Sequence, residues 1–545
     1  MDWYTQLQGY LQTNLSDVGR ILPEIIVAST FVVAMIVDFM QKKDAPKNIV
    51  ALVCIFGVLA SLFVLVAPAG IVYTNVHAYN GLLQLDQFST FFKIFIGLAT
   101  IIALVMAMDS WDLQRSPGGQ GEYYYLLVAA CFGGYLLTSA SNLLMIYLSI
   151  ETLSLTSYAL AGYLQGSRKS AEAGMKYVIY GAMASGIMIF GMSYLFGLTG
   201  RMDLTGIAES LRHTVEQWRL NLPAVSDPKY AAAHIEYINR IAALSIMFLM
   251  LFAGFAYKIS MAPFHFWAPD VYEGAPTVST SFFSVGPKAA GFAVLIRVLM
   301  EFFILPDSRI FTDFSSIQIL AGVAAVLTMS IGNLTALAQT NAKRMLAYSS
   351  IAHAGYMIAL LTVPLETLQG GQVQSQLGPL LFYLIAYLFM NFGAFIVVLA
   401  LEQKRGSSDL SAFGGAVKTD PGMTVAMCIF LFSLVGIPPM SGFIGKFFIF
   451  KQLADPAAGG GTSWHWLLIA FIGINSVISL FYYIRIARVM IADPVPSSAT
   501  DTASLPVPIN LKVMTYVFGA ATLGMVLFCS AIMDRMFEIG RSILH

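Results

Sequence analysis

The chain is built of long apolar runs separated by short polar connections. Fourteen runs come close to or exceed the roughly 18 mostly apolar residues that a helix needs to cross a bilayer core of about 30 Å. They fall near 21–39, 49–68, 88–108, 122–139, 142–164, 172–198, 241–258, 277–300, 317–338, 344–363, 378–401, 422–450, 465–490 and 511–533. The ten-residue alternation of barrel strands is not seen, and hydrocarbon cannot satisfy open backbone groups, so the runs are predicted to be helices. The predicted fold class is all-α: a polytopic membrane bundle of about fourteen spans.

Two runs are interrupted, at Ala262-Pro263-Phe264 and at Gly436-Ile437-Pro438-Pro439. Proline removes a helical N–H and clashes with the preceding turn, so both helices are predicted to break there. These are the seventh and twelfth runs. A separation of five spans gives opposite orientations, the layout of an inverted repeat with broken helices at matching places; two unrelated proline kinks remain the alternative. The expected division is 1–120 (about three spans), 121–302 (a first five-helix repeat, with the 199–240 extramembrane loop), 303–491 (a second repeat) and 492–545 (loop and last span). The 199–240 connection also holds a possible amphipathic helix at 205–219.

Short loops keep their cations on one side: Lys42, Lys43 and Lys47, Arg168 and Lys169, Lys343 and Arg344, Lys404, Arg405 and Lys418, Arg485 and Arg488. The loops near 69–84, 139–142 and 363–377 contain none. The positive-inside rule then predicts both termini on the non-cytoplasmic side. The start, Met1 to Arg20, has no basic stretch ahead of an apolar run and does not read as a cleaved signal peptide.

Composition removes whole classes of function. Hydrophobic residues make up 57% and charged residues 11%, and 30 Lys+Arg balance 30 Asp+Glu, so no basic excess exists to hold nucleic acid. Cys54, Cys131, Cys428 and Cys529 are far apart with no C-x-x-C spacing, which argues against iron–sulfur, zinc and disulfide frameworks. Gly459-Gly460-Gly461 reads as a linker, and Gly445-Lys446 lacks the earlier glycine of a phosphate-binding loop, so neither ATP nor NADH is expected to bind this chain. Haem would want paired histidines on facing helices, and only His265 and His353 lie deep. No metal or cofactor is expected here.

Ionisable groups inside the runs change the picture, because each costs roughly 2.5–3.5 kcal/mol on insertion unless it faces protein or water. Five stand out: Glu151, Lys176, Lys258, Lys288 and Lys446. Tyr147, Ser154 and Tyr158 share a helical stripe with Glu151, and Ser281 and Ser284 share a face with Lys288. Burial and a movable carboxylate can together switch a lysine's proton on and off, which is proton-relay chemistry. For Lys176 and Lys258 a plain buried salt bridge or snorkelling is the alternative. His353 could pass a proton between lysines, and so could His265; a packed histidine is the alternative for both. Arg297 and Glu301 read as an interfacial i,i+4 ion pair.

The run from Pro263 to Thr277 (Pro-Phe-His-Phe-Trp-Ala-Pro-Asp-Val-Tyr-Glu-Gly-Ala-Pro-Thr) resembles the signature of the subunit-N family of the proton-pumping NADH-quinone oxidoreductase, respiratory complex I. Lys343 to Tyr356, and Gly436-Ile437-Pro438-Pro439 with Gly442-Phe443 and Lys446, carry the same resemblance, which runs through about residues 120–490. Sister subunits L and M typically have a histidine where this chain has Tyr272, and a long lateral helix after the last span. The resemblance implies a fourteen-helix antiporter-like subunit of a bacterial inner membrane, packed among other membrane subunits, with flavin and iron–sulfur clusters in partner subunits. It also implies roles: Glu151 paired electrostatically with Lys176 or Lys258, Lys288 on the central axis, His353 as a carrier and Lys446 leading outward. The related Mrp-type Na+/H+ antiporters are the alternative reading.

Overall fold

The computed structural model describes residues 17–42, 47–66, 76–116, 119–304, 315–363, 366–369, 372–455, 463–495 and 506–543. Residues 1–16 of the N-terminal start, Lys43, the Gly459 to Gly461 linker and His545 lie outside the described residues.

With hydrocarbon outside, backbone polar groups must pair within their own segment, and the apolar runs are helical. Helices α1 (Leu22–Met40), α2 (Asn48–Val66) and α3 (Gln87–Met108) come first. Between α2 and α3, strands β1 (Val76–Ala78) and β2 (Leu83–Leu85) pair antiparallel with Val76 opposite Leu85. Then follow α4 (Gly121–Ser139), α5 (Leu143–Ala161), α6 (Arg168–Thr199), α7 (Leu204–Leu220), α8 (Tyr230–Lys258), the half-helix α9 (Trp267–Gly274) and α10 (Thr277–Leu299). The chain continues through α11 (Ser315–Ala336) and α12 (Ala342–Ala359), an antiparallel hairpin of β3 (Glu366–Gln369) and β4 (Gln372–Ser375), and α13 (Gly378–Arg405). It closes with α14 (Pro421–Val435), α15 (Ser441–Ala454), α16 (Ser463–Ala492), α17 (Ile509–Gly524) and α18 (Cys529–Arg541).

The core lies on three helices. The most apolar window of the α10 span is 100% buried, that of α12 94% and that of α13 89%, against 28% for α1 and 33% for α2. Helix α10 carries five Ser and Thr residues, and two of its hydroxyls are satisfied within the helix: Ser281 Oγ donates to Val278 O at 2.7 Å and Ser284 Oγ to Ser281 O at 2.6 Å.

Two backbone bridges repeat one pattern. Around the Asn142–Asp203 bridge, Leu143 N donates to Met202 O at 2.9 Å and Leu204 N to Ser141 O at 3.0 Å. Around the Asn341–Asp409 bridge, Ala342 N donates to Ser408 O at 2.8 Å and Leu410 N to Thr340 O at 2.9 Å. Each asparagine also N-caps the helix that follows it, α5 or α12.

The structure adds detail to several expectations and changes others. Among the described residues eleven helices are long and apolar enough to cross a membrane, twelve if α17 and α18 count as one bent span, fewer than the fourteen runs. Helix α4 carries Glu122 and three consecutive tyrosines, which dilute its apolarity. The 422–450 run is two short helices, α14 and α15, and the 511–533 run bends by 87° between α17 and α18. The 199–240 connection is mostly helix: α7 has an apolar face with Ile207, Ala208 and Leu211 buried, and α8 already begins at Tyr230. Arg297 is not a simple i,i+4 pair with Glu301: its guanidinium is buried and bonds Asp86 at 2.9 and 3.2 Å, Gln84 at 2.6 Å and Thr138 O at 3.2 Å.

Candidate functional site

Helix α8 ends at Lys258, where Ser260 takes a left-handed φ of 59° and Met261 N bonds back to Ala256 O at 2.8 Å. No regular helix resumes until Trp267, past Pro263, so the span is broken. Ala262 N donates to Thr328 Oγ1 at 3.0 Å, tying the break to α11. His265 lies buried inside the break. The second break follows α14, which ends at Gly436 in the left-handed region (φ 89°), and α15 starts at Ser441 beyond Pro438 and Pro439. A helix end leaves carbonyls without intrahelical partners. Here a lysine takes them: Lys446 Nζ donates to Val435 O at 2.8 Å and Leu434 O at 3.1 Å.

The three deep lysines are 2–3% exposed, and each ammonium meets hydroxyl or carbonyl oxygens rather than a carboxylate. Lys258 Nζ donates to Ser154 Oγ at 2.8 Å, on the stripe that also carries Glu151. Glu151 is half-buried, its Oε1 has no hydrogen-bond partner, and its charge reaches Lys258 at longer range. Gly291 makes room for this arrangement, since a Cβ there would stand 3.2 Å from the Cβ of Lys258. Lys288 Nζ donates to both oxygen atoms of Ser350, Oγ at 2.9 Å and the carbonyl at 3.0 Å. Lys446 adds Ser476 Oγ at 3.3 Å and sits 4.5 Å from the centre of the Tyr356 ring, a cation–π distance.

Helix α12 strings Lys288 and Lys446 together. Ser350, His353 and Tyr356 recur every three residues on one face, and meet Lys288, a tyrosine pair and Lys446 in turn. His353 Nδ1 is 2.6 Å from Tyr383 Oη and its Nε2 is 3.3 Å from Tyr483 Oη, while both Lys288 and Lys446 are within electrostatic reach. From Tyr356 the polar contacts continue to Asn333 (3.0 Å), which bonds Asn475 at 3.2 Å and Tyr482 at 3.0 Å.

Lys176 stands apart from this string. It is about a third exposed and pairs with Asp270 at 2.5 Å and Glu172 at 2.6 Å, so the carboxylates it meets are these and not Glu151. Near the start of α12, Lys343 pairs with Glu402 at 3.4 Å, and Thr277 donates to Glu402 through a short hydrogen bond. Beside them and outside the spans, burial and then the charge of Glu402 push the Asp112 carboxyl above the usual carboxylate range, against Lys343 and Arg115.

Residues 140–479 match the family described as "NADH:quinone oxidoreductase/Mrp antiporter, TM", a stretch that holds Glu151, the three buried lysines and His353. The chain belongs to this family. Within the NADH:quinone oxidoreductase/Mrp antiporter family, it is 38% identical over 527 residues to NADH-quinone oxidoreductase subunit N of Anaeromyxobacter sp., covering 94% of each chain. It is 36% identical over 509 residues to subunit N of Geobacillus sp., covering 92% of this chain and 94% of that one. Among solved structures, a chain of respiratory complex I from Thermus thermophilus superposes with a TM-score of 0.69 at 27% identity, covering 94% of this chain and 98% of its own. A chain of the Mrp complex from Dietzia sp. has a TM-score of 0.73 at 19% identity over 96% and 97%, a likeness of fold.

Sequence reasoning missed Ser350, Tyr383, Tyr483 and Asn333, whose types are common in any helix and carry no spacing signal of their own. It also missed a buried pair in the N-terminal helices, Glu24 on α1 and Lys93 on α3, 2.5 Å apart and at most 1% exposed. Lys93 was detectable by the criterion that singled out the other lysines, a charge inside an apolar run.

Proposed function

We propose that this chain is the proton-translocating subunit N of an NADH-quinone oxidoreductase, moving protons while electrons pass from NADH to quinone in other subunits. The observation that carries the reading is the set of three buried lysines without carboxylate partners, two of which, Lys288 and Lys446, are joined by a hydroxyl, an imidazole and a phenol ring along α12. A charge in such a place is costly unless it can be shared or passed on, which is the setting of a relay. Redox chemistry elsewhere changes the field at Glu151. With that carboxylate close, Lys258 keeps its proton; with it displaced, the proton passes through water to Lys288, then by His353 to Lys446 and out. The broken helices at Pro263 and at Pro438 and Pro439 supply the free backbone groups and hinges around the path. Lys176, held by Asp270 and Glu172, is set apart from the path.

The finer architecture belongs to the same reading. The eleven apolar spans, the bent last pair, α4 and the split α14–α15 together make fourteen crossings. Residues 121–302 and 303–491 are two inverted five-span repeats, an assignment supported by the matching bridges at Asn142 and Asn341 and by the two breaks. The chain sits in a bacterial cytoplasmic membrane with both termini on the non-cytoplasmic side. It binds no cofactor itself, and flavin and iron–sulfur clusters belong to partner subunits. Its neighbours are other antiporter-like and small membrane subunits. Mrp-type antiport is the second reading, favoured by the family description and the Mrp fold likeness; co-purification with flavin and iron–sulfur subunits, or with small antiporter subunits, separates the two. The deciding experiment on mechanism is Lys288→Ala in the intact complex: quinone reduction and proton pumping are both measured, and normal pumping in an assembled variant sinks the relay.

A further inference from the structure

The half-helix α9 is held on two sides by charges that the proton path does not use. On one side it packs on α6: Asp270 Oδ2 meets Lys176 Nζ at 2.5 Å and Glu273 Oε1 meets Lys169 Nζ at 2.9 Å. Contact there is so close that a Cβ on Gly274 would stand 2.2 Å from the Lys169 carbonyl oxygen. On the other side it is gripped by the first turn of α12: Arg344 Nη1 meets Asp270 Oδ1 at 2.5 Å and Glu273 Oε2 at 3.1 Å, and Lys343 Nζ donates to Ala275 O at 3.1 Å.

The other end of α9 is fastened to the turn that carries Lys258. Trp267 Nε1 donates to Tyr257 O at 3.0 Å, and the Trp267 ring stacks on Tyr177 at 4.4 Å with planes 10° apart. Arg344 lies six residues before Ser350 on the rigid helix α12, and Ser350 supplies both oxygens that hold Lys288. A contiguous set of contacts therefore runs from Lys258 through Trp267, α9, Asp270 and Arg344 to the acceptor of Lys288. Packed elements with discrete arrangements pass displacements along such contacts.

We propose that Asp270 is a positioning residue: it couples movement at the Pro263 break to α12, so that a change at Lys258 re-aims Ser350 at Lys288. The carboxylate is suited to this because it bonds two cations from two different helices at once, Lys176 of α6 and Arg344 of α12. The inference rests on the relay reading above.

Its test uses the whole enzyme in proteoliposomes, with quinone reduction and protons moved per electron measured separately. Asp270→Asn should keep quinone reduction and lower protons per electron by about 2-fold or more, within the span of known coupling effects. Asp270→Glu should restore most of it, which a loss of packing would not allow. Arg344→Gln breaks the same contact from the α12 side and should match Asp270→Asn, and the double variant should be no worse than either single. Unchanged protons per electron in Asp270→Asn, additive losses, or no rescue by Asp270→Glu overturns the proposal. So does failure of both single variants to assemble, because the contact is then only structural. Lys288→Ala, run alongside, separates the levels: if it stops pumping while Asp270→Asn pumps normally, the coupling role alone fails. If Lys288→Ala pumps normally, the relay itself fails.

Discussion

Gly436 and Lys446 are built around each other: a Cβ on Gly436 would stand 2.9 Å from Cδ of Lys446, and the glycine holds a φ of 89°. The left-handed backbone ends α14 and bares the carbonyls of Leu434 and Val435, and the missing side chain lets the lysine reach them. Gly436→Ala should therefore cost about 1–3 kcal/mol of local strain and displace the ammonium. The expected outcome is an assembled complex with reduced pumping and a lowered thermal midpoint; wild-type values of both would contradict this account of the break.

Ser350→Ala removes one of the two oxygens that hold Lys288 and leaves the backbone carbonyl. A hydrogen bond to a charged group contributes about 1.5–3 kcal/mol, so pumping should slow roughly 10-fold or more at a given quinone concentration. Ser350→Thr retains the hydroxyl and should retain most of the rate. Stopped-flow acidification traces on both variants check the pair.

His353→Gln keeps a polar side chain near Tyr383 and Tyr483 but cannot take up and release a proton. Pumping should fall severely while the complex assembles in normal amount. If pumping survives, the histidine is packing and the tyrosine and water contacts bridge Lys288 to Lys446 without it.

The Glu24–Lys93 pair makes a prediction about stability alone. Both groups are buried, and breaking a buried ion pair from one side is costly: Glu24→Gln or Lys93→Met should destabilise by about 3–5 kcal/mol, whereas Glu24→Met with Lys93→Met together should come out near neutral. Thermal melts of the purified complex read the difference, and singles no worse than the double would show that the pair contributes nothing.

How much of this was legible depended on whether the signal lay along the chain or across it. Apolar runs and prolines are local, so the spans and both breaks could be read from the sequence, and the long Pro263–Thr277 motif pointed to the family. Lysines in apolar runs are rare enough to stand out singly, which is why Lys258, Lys288 and Lys446 were found. Their acceptors were not, because Ser350 is 62 positions from Lys288 and nothing local marks it. The misreading of Arg297 has the same origin: Glu301 is one turn away in sequence, but the bond goes to Asp86, 211 positions earlier. Eleven to twelve spans stand out in the described residues against fourteen apolar runs because the glutamate and tyrosines of α4 lower its apolarity and the 422–450 run is divided into two helices each too short to cross alone.

Helix α10 has no lipid-facing surface, contains Pro287 and carries Lys288 and Arg297 in its length. Left alone beside hydrocarbon, it would expose two cations and a weakened backbone, so it cannot partition stably on its own merits during synthesis. Its residence in the bilayer has to wait for α3, α12 and α13 to gather round it. A ribosome stalled soon after Leu299 should accordingly yield a nascent chain whose eighth apolar run slips back toward water, or stays guarded by the insertion machinery, until the downstream half arrives.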